Sequence, residues 1–415
     1  MGEAAGRRGS PAPGFPGGCH AKREWSDTSL CLRGDVPETG DPVNTLMRTI
    51  LITGATGFLG SALVASLLAE GHRVKTLSRN DPAGARVRAA AGEAARGFGL
   101  ILNDRHWELL STVEVDFRDL RSTLHPRILE DVTHVWNSAA EMSYSLKKIL
   151  PAMEQNVMAS STLYALTARH ARRCQRFYHV STAYTAGFDV EEVHEALHFT
   201  PRLINAYQLS KWAAETNLFQ HHQEMKLPLT LFRPSAVIGH QATGWSTGVS
   251  FGLFCLAEGI LHGKRRNAGQ IHLDLKEDAR LNLVCIDTVV RRARELLRAE
   301  AHRQPVEIFH CVGDESLRVA EALEPAGSLL GLRVVFGPPQ LEVDAEIHRI
   351  IKKNKPFADS TWHFRTDRLK QVLGDAYVPQ SMNREIIRRS MMHFLAHRLQ
   401  ELAQEPGMAT ALAMP

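Results

Sequence analysis

From Arg48 onward, short runs of β-branched and aliphatic residues alternate with stretches whose apolar positions recur at spacings of three and four. The series reads RTILIT, a helix over Ser61 to Glu70 with Leu63, Val64, Leu67 and Leu68 on one face, RVKTLS, a helical insertion to about Asp104, and STVEVD. It continues with THVWNSAA, a helix over Ala152 to His170, RFYHVST, a helix bearing Tyr207 and Lys211, and LPLTLFRPSAV. Strands separated by helices of this length require right-handed crossovers and a parallel sheet. The expected fold is therefore α/β, a doubly wound parallel sheet of the Rossmann type with a smaller C-terminal substrate lobe.

Beyond about Gly239 the alternation loosens. IHLDL, LNLVCI and VEIFHCVG are expected to be strands returning to the sheet or its lobe, and the tail from about Glu342 to Ala403 mainly helical. Residues 1–46, rich in Gly, Pro, Ala and Arg, show neither periodicity and are expected to form a disordered arm, with the folded part beginning at Met47. The organisation expected is thus an arm over 1–46, a nucleotide-binding domain carrying the catalytic residues over 47–290, and a returning strand with a mainly helical lobe over 291–415.

Composition narrows the class. With 44% hydrophobic and 23% charged residues, the 415-residue chain can bury a large core. A net charge of +4 gives no reason to propose nucleic acid as a partner. No run approaches the roughly 20 apolar residues needed to span a bilayer. The nearest, Val249 to Leu261, carries Glu258 and is expected to wall a substrate tunnel or enter the core. Six cysteines lie scattered without CxxC spacing, as reduced thiols in a cytoplasmic protein would. His393 and His397 have the i, i+4 spacing of metal ligands but no third ligand beside them, so no metal is expected.

The first chemistry is at Gly54-Ala55-Thr56-Gly57-Phe58-Leu59-Gly60, glycines spaced GxxGxxG between a strand and a helix. Gly54 suits a tight turn, Gly57 lets backbone N–H groups approach a diphosphate, and Gly60 permits close helix–strand packing. The helix N-terminus adds positive partial charge. The next strand ends in Ser78 and Arg79, where a site for NAD would carry an acidic residue. A guanidinium there pairs with a 2′-phosphate, which favours NADP(H), although Asp81 stands close by.

Tyr207 and Lys211 form YxxxK at the start of a helix, on one face. An ammonium beside the phenol is expected to lower the tyrosine pKa and make Tyr207 a proton donor to a carbonyl. Ser181 and Thr182, at the end of RFYHV, place a second hydroxyl where Thr182 and Tyr207 would share a developing alkoxide.

Together, TGATGFLG, VDFRDL, NSAA, Asn156-Val157, HVSTAYTAG, YQLSKW and FRPSAVIG resemble, in order, the motifs of extended short-chain dehydrogenases/reductases over about residues 48–290. HVSTAY, SKWAAE, RPSAVIGHQATGWSTG and Asn282-Leu283-Val284-Cys285-Ile286-Asp287 resemble most the branch of thioester reductases and fatty acyl-CoA reductases. The resemblance implies that Asp116 and Phe117 flank adenine, that Ala139 and Ala140 line the cofactor trough, and that Asn156 holds a proton-relay water. It also implies that Arg233 helps frame the site and that Pro234 and Ser235 lie by the nicotinamide. Asn137 departs from the His of the HxAA pattern, and Val115 from a glycine before Asp116.

The activity implied is reduction of an acyl thioester to an aldehyde, and on to an alcohol in some members. The acyl group is expected along Phe251, Leu253, Phe254 and Leu256. With no adenylation or carrier segment legible in the chain, the thioester is expected to come as acyl-CoA or on an acyl carrier protein. Lys264, Arg265 and Arg266, with Lys352, Lys353 and Lys355, are either its phosphate grip or ordinary solvated charge. Two other readings stay open here. One is the same catalytic residues acting on a small carbonyl, sterol or nucleotide sugar; the other is a nucleotide-binding sensor without chemistry. Oligomerisation is open as well.

Overall fold

Five successive buried residues, Thr49–Thr53, form β1, and an unbroken apolar run of this kind belongs to a strand covered on both faces. The computed structural model describes residues 47–299 and 303–403; the arm expected over 1–46 lies outside them. Around β1 lie β2 (Arg73–Ser78), β3 (Leu110–Glu114), β4 (His134–Asn137), β5 (Arg176–Val180), β6 (Leu229–Pro234) and β7 (Val306–Cys311). They form one seven-stranded sheet in the order β7-β6-β5-β4-β1-β2-β3, parallel throughout. The order reverses between β1 and β4, which pair with Thr53 opposite Asn137. At such a switch point the crevice beyond the strand ends is where an α/β fold takes its ligand.

Among the described residues the helices of ten residues or more are α1 (Phe58–Ala69), α2 (Ala85–Gly97), α3 (Ala159–His170), α4 (Ala206–Met225), α5 (Leu253–Arg265), α6 (Ile286–Arg298), α7 (Val319–Leu330), α8 (Glu342–Ile351) and α9 (Arg384–Ala403). Helices α1, α2 and α6 cover one face of the sheet, burying Leu63, Leu67, Ala91, Val289 and Leu296. Helices α3 and α4 cover the other through Leu163, Tyr164 and Leu218. Trp136 of β4 stacks on Tyr178 of β5, with ring centroids 4.3 Å apart, and both are fully buried.

The lobe has its own core, in which α5, α7, α8 and α9 pack around Leu256, Ile260, Leu323, Ile347 and Phe394. Of the three runs expected to return, only VEIFHC joins the large sheet, as the edge strand β7. Arg280–Cys285 lies between Ala236–Ile238 and Ser316–Arg318 in a small sheet, and Gln270–Leu273 pairs with Arg333–Phe336. The lobe therefore draws on both sides of residue 290, and α6 packs with the nucleotide-binding layer. Among the described residues no helix is long and apolar enough to cross a membrane.

Candidate active site

At the C-terminal end of β1 the chain turns through Gly54, whose φ of +72° is left-handed. A Cβ there would lie 2.7 Å from the Ala139 backbone nitrogen, and one on Gly60 would lie 2.1 Å from the Gly54 carbonyl. The loop is thus folded onto β4 and onto α1 with no room for side chains. Helix α1 opens at Gly57 without a side-chain cap, so its first N–H groups face the crevice. This cradle fits the diphosphate of a dinucleotide.

Asn137, in place of the family's histidine, binds the strands together instead. Thr53 donates to its Oδ1 at 2.7 Å, and its Nδ2 donates to Ser160 at 2.8 Å and lies 3.1 Å from His179 Nδ1. His179 is held neutral, its pKa depressed by burial and by Lys211.

At the end of β2, Arg79 lines the crevice together with Arg86 and Arg118. The Arg86 guanidinium donates to the Arg79 carbonyl at 3.2 Å. Asp81 is turned away, with its carboxylate accepting the backbone N–H groups of Arg86 (3.0 Å) and Val87 (3.1 Å) in the first turn of α2. Phe117 lines the crevice. Asp116 is not among its lining residues, and its carboxylate accepts the Arg118 N–H at 2.9 Å.

Asn156 sits in a π-helical turn, Glu154–Met158, that runs into α3. Fully buried, it accepts the Glu141 N–H at 2.7 Å and donates to the Glu141 carbonyl at 2.9 Å and to Ser210 Oγ at 2.8 Å. In this structure it pins the 141 loop to α4, and it is not among the lining residues.

Helix α4 is capped by Asn205, whose side chain accepts the Gln208 N–H at 2.8 Å, and this sets Tyr207 and Lys211 into the crevice. Thr182 lies beside Tyr207 at the cleft, and its Oγ1 accepts the Tyr184 N–H at 3.4 Å and donates to the Pro234 carbonyl at 3.5 Å. Burial, then the neighbouring Tyr144, hold the phenol pKa above its ordinary value, while the Thr182 hydroxyl works in the opposite direction. The effect expected of Lys211 on Tyr207 is therefore not what dominates here. The Lys211 ammonium donates to the Val180 carbonyl at 2.7 Å, and burial lowers its pKa to about 8 against the raising influence of Glu215.

Arg233 frames the site only indirectly. It is fully buried and grips Glu215 of α4 through two bonds of 2.8 and 2.7 Å, without lining the crevice. Sequence reading missed Tyr144, whose ring stacks on that of Tyr207 with centroids 6.1 Å apart, and Tyr184, which also faces the crevice.

The crevice is one continuous cleft of about 790 Å³. Gly54, Thr56, Gly57, Phe58, Leu59, Gly60, Ala139 and Ala140 line it at the phosphate loop, and Thr182, Tyr207, Lys211, Pro234 and Ser235 at its centre. Phe251, Leu253, Phe254, Leu256, Leu281 and Phe357 form the apolar far end. Donor hydroxyls between a diphosphate cradle and an apolar wall suit hydride transfer to a carbonyl carried on an apolar group.

Known proteins agree with this architecture. The chain is 29% identical over 220 residues to a polyketide synthase-nonribosomal peptide synthetase hybrid, himA, of Aspergillus japonicus, a match covering 48% of this chain and 5% of that synthetase. The chain thus spans a small part of the length of such relatives. The terminal R domain from the myxalamid PKS-NRPS biosynthetic pathway superposes with a TM-score of 0.68 at 21% identity, covering 86% of this chain and 92% of that one. A thiolation-reductase di-domain from an archaeal non-ribosomal peptide synthetase gives 0.66 at 16% identity, covering 85% and 76%. Both likenesses show a shared fold. Residues 52–293 match the Male sterility protein family of NAD-binding domains, and the chain belongs to that family.

Proposed function

We propose that this protein is an NADPH-dependent reductase of acyl thioesters, releasing an aldehyde. The observation that carries the reading is the placement of the Thr182 and Tyr207 hydroxyls in one cleft with the phosphate cradle and an apolar wall. Relatives named as a terminal R domain and a thiolation-reductase di-domain support a thioester as the substrate. Three arginines lining the cleft, Arg79 after β2, Arg86 in α2 and Arg118 beyond β3, and an Asp81 already engaged by α2 support a 2′-phosphorylated cofactor.

The glycine loop from Gly54 to Gly60, with Pro234 and Ser235, would hold a dihydronicotinamide dinucleotide, which would supply hydride to the thioester carbonyl carbon. Thr182 and Tyr207 both donate to the carbonyl oxygen, where negative charge develops. The phenol stays protonated at neutral pH because burial raises its pKa, so Tyr207 enters as a donor, as reduction requires, and gives its proton to that oxygen. Cleavage of the carbon–sulfur bond of the resulting hemithioacetal then expels a thiolate, which takes a proton from solvent, while the hydroxyl proton returns to Tyr207 and the aldehyde is left. Lys211, charged below about pH 8, contributes a cation at the cofactor ribose. Phe251, Leu253, Phe254 and Leu256 receive the acyl chain.

The thiol carrier is coenzyme A or an acyl carrier protein. Free thiols at Cys255, Cys285 and Cys311 support a reducing, cytoplasmic setting. The test is NADPH oxidation with one acyl group presented on coenzyme A and on a carrier protein, with products identified by mass. An aldehyde or alcohol from either donor is expected. Turnover of free ketones alone, or cofactor binding without any turnover, would overturn the reading.

A further inference from the structure

Residues 239–252 cross from β6 to α5 as a strap, and its tethers reach both layers of the protein. On the nucleotide-binding side, the buried Trp245 ring packs on Phe58 and Phe98 with centroids 5.3 and 5.7 Å away. Thr243 donates to the Gly97 carbonyl at 2.7 Å, and a Cβ on Gly97 would stand 2.2 Å from the indole. In the same layer, the Gln241 backbone and side chain both donate to Asp287 of α6, at 3.0 and 2.9 Å. On the lobe side, the Gly239 N–H donates to Ser390 at 2.7 Å, and the Ser246 N–H to His393 Nδ1 at 3.3 Å. The strap is thus anchored as a fixed wall.

Phe58, on which Trp245 rests, is the first residue of α1. The next strap residue, Ser246, is 1% exposed and lines the cleft, yet its hydroxyl has no hydrogen-bond partner among the described residues. A buried hydroxyl without a partner costs free energy, and a ligand that accepts its hydrogen removes that cost. The uncapped N–H groups of α1 line the same cleft, where they suit an anion. The geometry points to Ser246 as a cofactor-binding residue that donates its hydroxyl hydrogen to a diphosphate oxygen. The diphosphate is then held both by backbone N–H groups of α1 and by a side chain of the strap. This inference rests on the dinucleotide reading of the cleft and adds a ligand that the glycine motif does not contain.

The test is calorimetric binding of adenosine 2′-monophosphate, 2′-phospho-ADP-ribose and NADP⁺ to wild type and to Ser246→Ala, with thermal unfolding as a check on the fold. The first ligand lacks the diphosphate, the second lacks only the nicotinamide, and the third has both. A charge-assisted hydrogen bond predicts a loss of about tenfold in affinity for the second and third and no change for the first. A loss confined to NADP⁺, an equal loss for all three ligands, or no loss would each overturn the assignment. Wild type that binds none of the three would overturn the dinucleotide reading, and the assignment with it.

Discussion

Lys211 is 2% exposed, and burial lowers its pKa from the usual 10.5 to about 8. In the unfolded chain the same ammonium holds its proton up to the usual value, so between those two pH values the unfolded state binds more protons and stability rises with pH. Below about pH 8 both states are charged and the full penalty of burying the ammonium is present. Above 10.5 it has gone. The gap, at about 1.4 kcal/mol per pH unit, amounts to about 3 kcal/mol. Lys211→Met removes this titration, and it also removes the bond to the Val180 carbonyl, an acceptor whose loss costs about 1–3 kcal/mol at every pH. The two effects oppose each other near neutrality and separate only in their pH dependence. Tyr207 and Tyr184, whose pKa values burial raises, tend to lower stability in the same alkaline range, but they do so in wild type and variant alike. Urea unfolding of both cofactor-free proteins in steps from pH 7 to 10.5 isolates the lysine. The wild-type stability minus that of the variant is expected to climb by about 3 kcal/mol. A difference that stays flat across this range would refute the placement of a buried, depressed ammonium at Lys211.

Tyr207→Phe is expected to lower kcat by about 10²–10⁴-fold while cofactor affinity, measured by fluorescence titration, changes little. Arg79→Ala and Arg86→Ala are each expected to weaken NADP⁺ about tenfold and to leave NAD⁺ unchanged, and equal losses for both cofactors would remove the 2′-phosphate assignment. Glu215→Gln leaves Arg233 buried without its counter-ion, so chemical denaturation should show a loss of about 3–5 kcal/mol. It also withdraws the charge that raises the Lys211 pKa, so the alkaline limb of the activity profile should move to lower pH.

The sequence was most informative where a local pattern determines the backbone. GATGFLG is readable because Gly54 and Gly60 leave no space for a Cβ, and YxxxK because one helical turn fixes both side chains. Thr182 followed from ending a strand beside them. What escaped reading depends on pairings distant in sequence. Arg118 reaches the Arg79 end of the cleft from beyond β3, and Tyr144 reaches Tyr207 through a loop held by Asn156. Asp81, close to Arg79 in sequence, is withdrawn by the N-terminus of α2, a cap that spacing alone does not reveal. Before Val249 the strap was read only as part of a family motif. Its role at the cleft depends on Trp245 meeting Phe58, nearly two hundred positions earlier in the sequence.

The central claim is transfer of hydride to a thioester carbon under the control of Tyr207. Its most direct test supplies acyl-CoA or acyl carrier protein with NADPH deuterated at the transferring C4 position, traps the product and locates the label by mass spectrometry. The account predicts deuterium at C1 of an aldehyde, or of the alcohol formed from it, with wild type, and the same labelled product about 10²–10⁴-fold more slowly with Tyr207→Phe. Deuterium appearing only in an added free ketone, with both thioesters recovered intact, would contradict it.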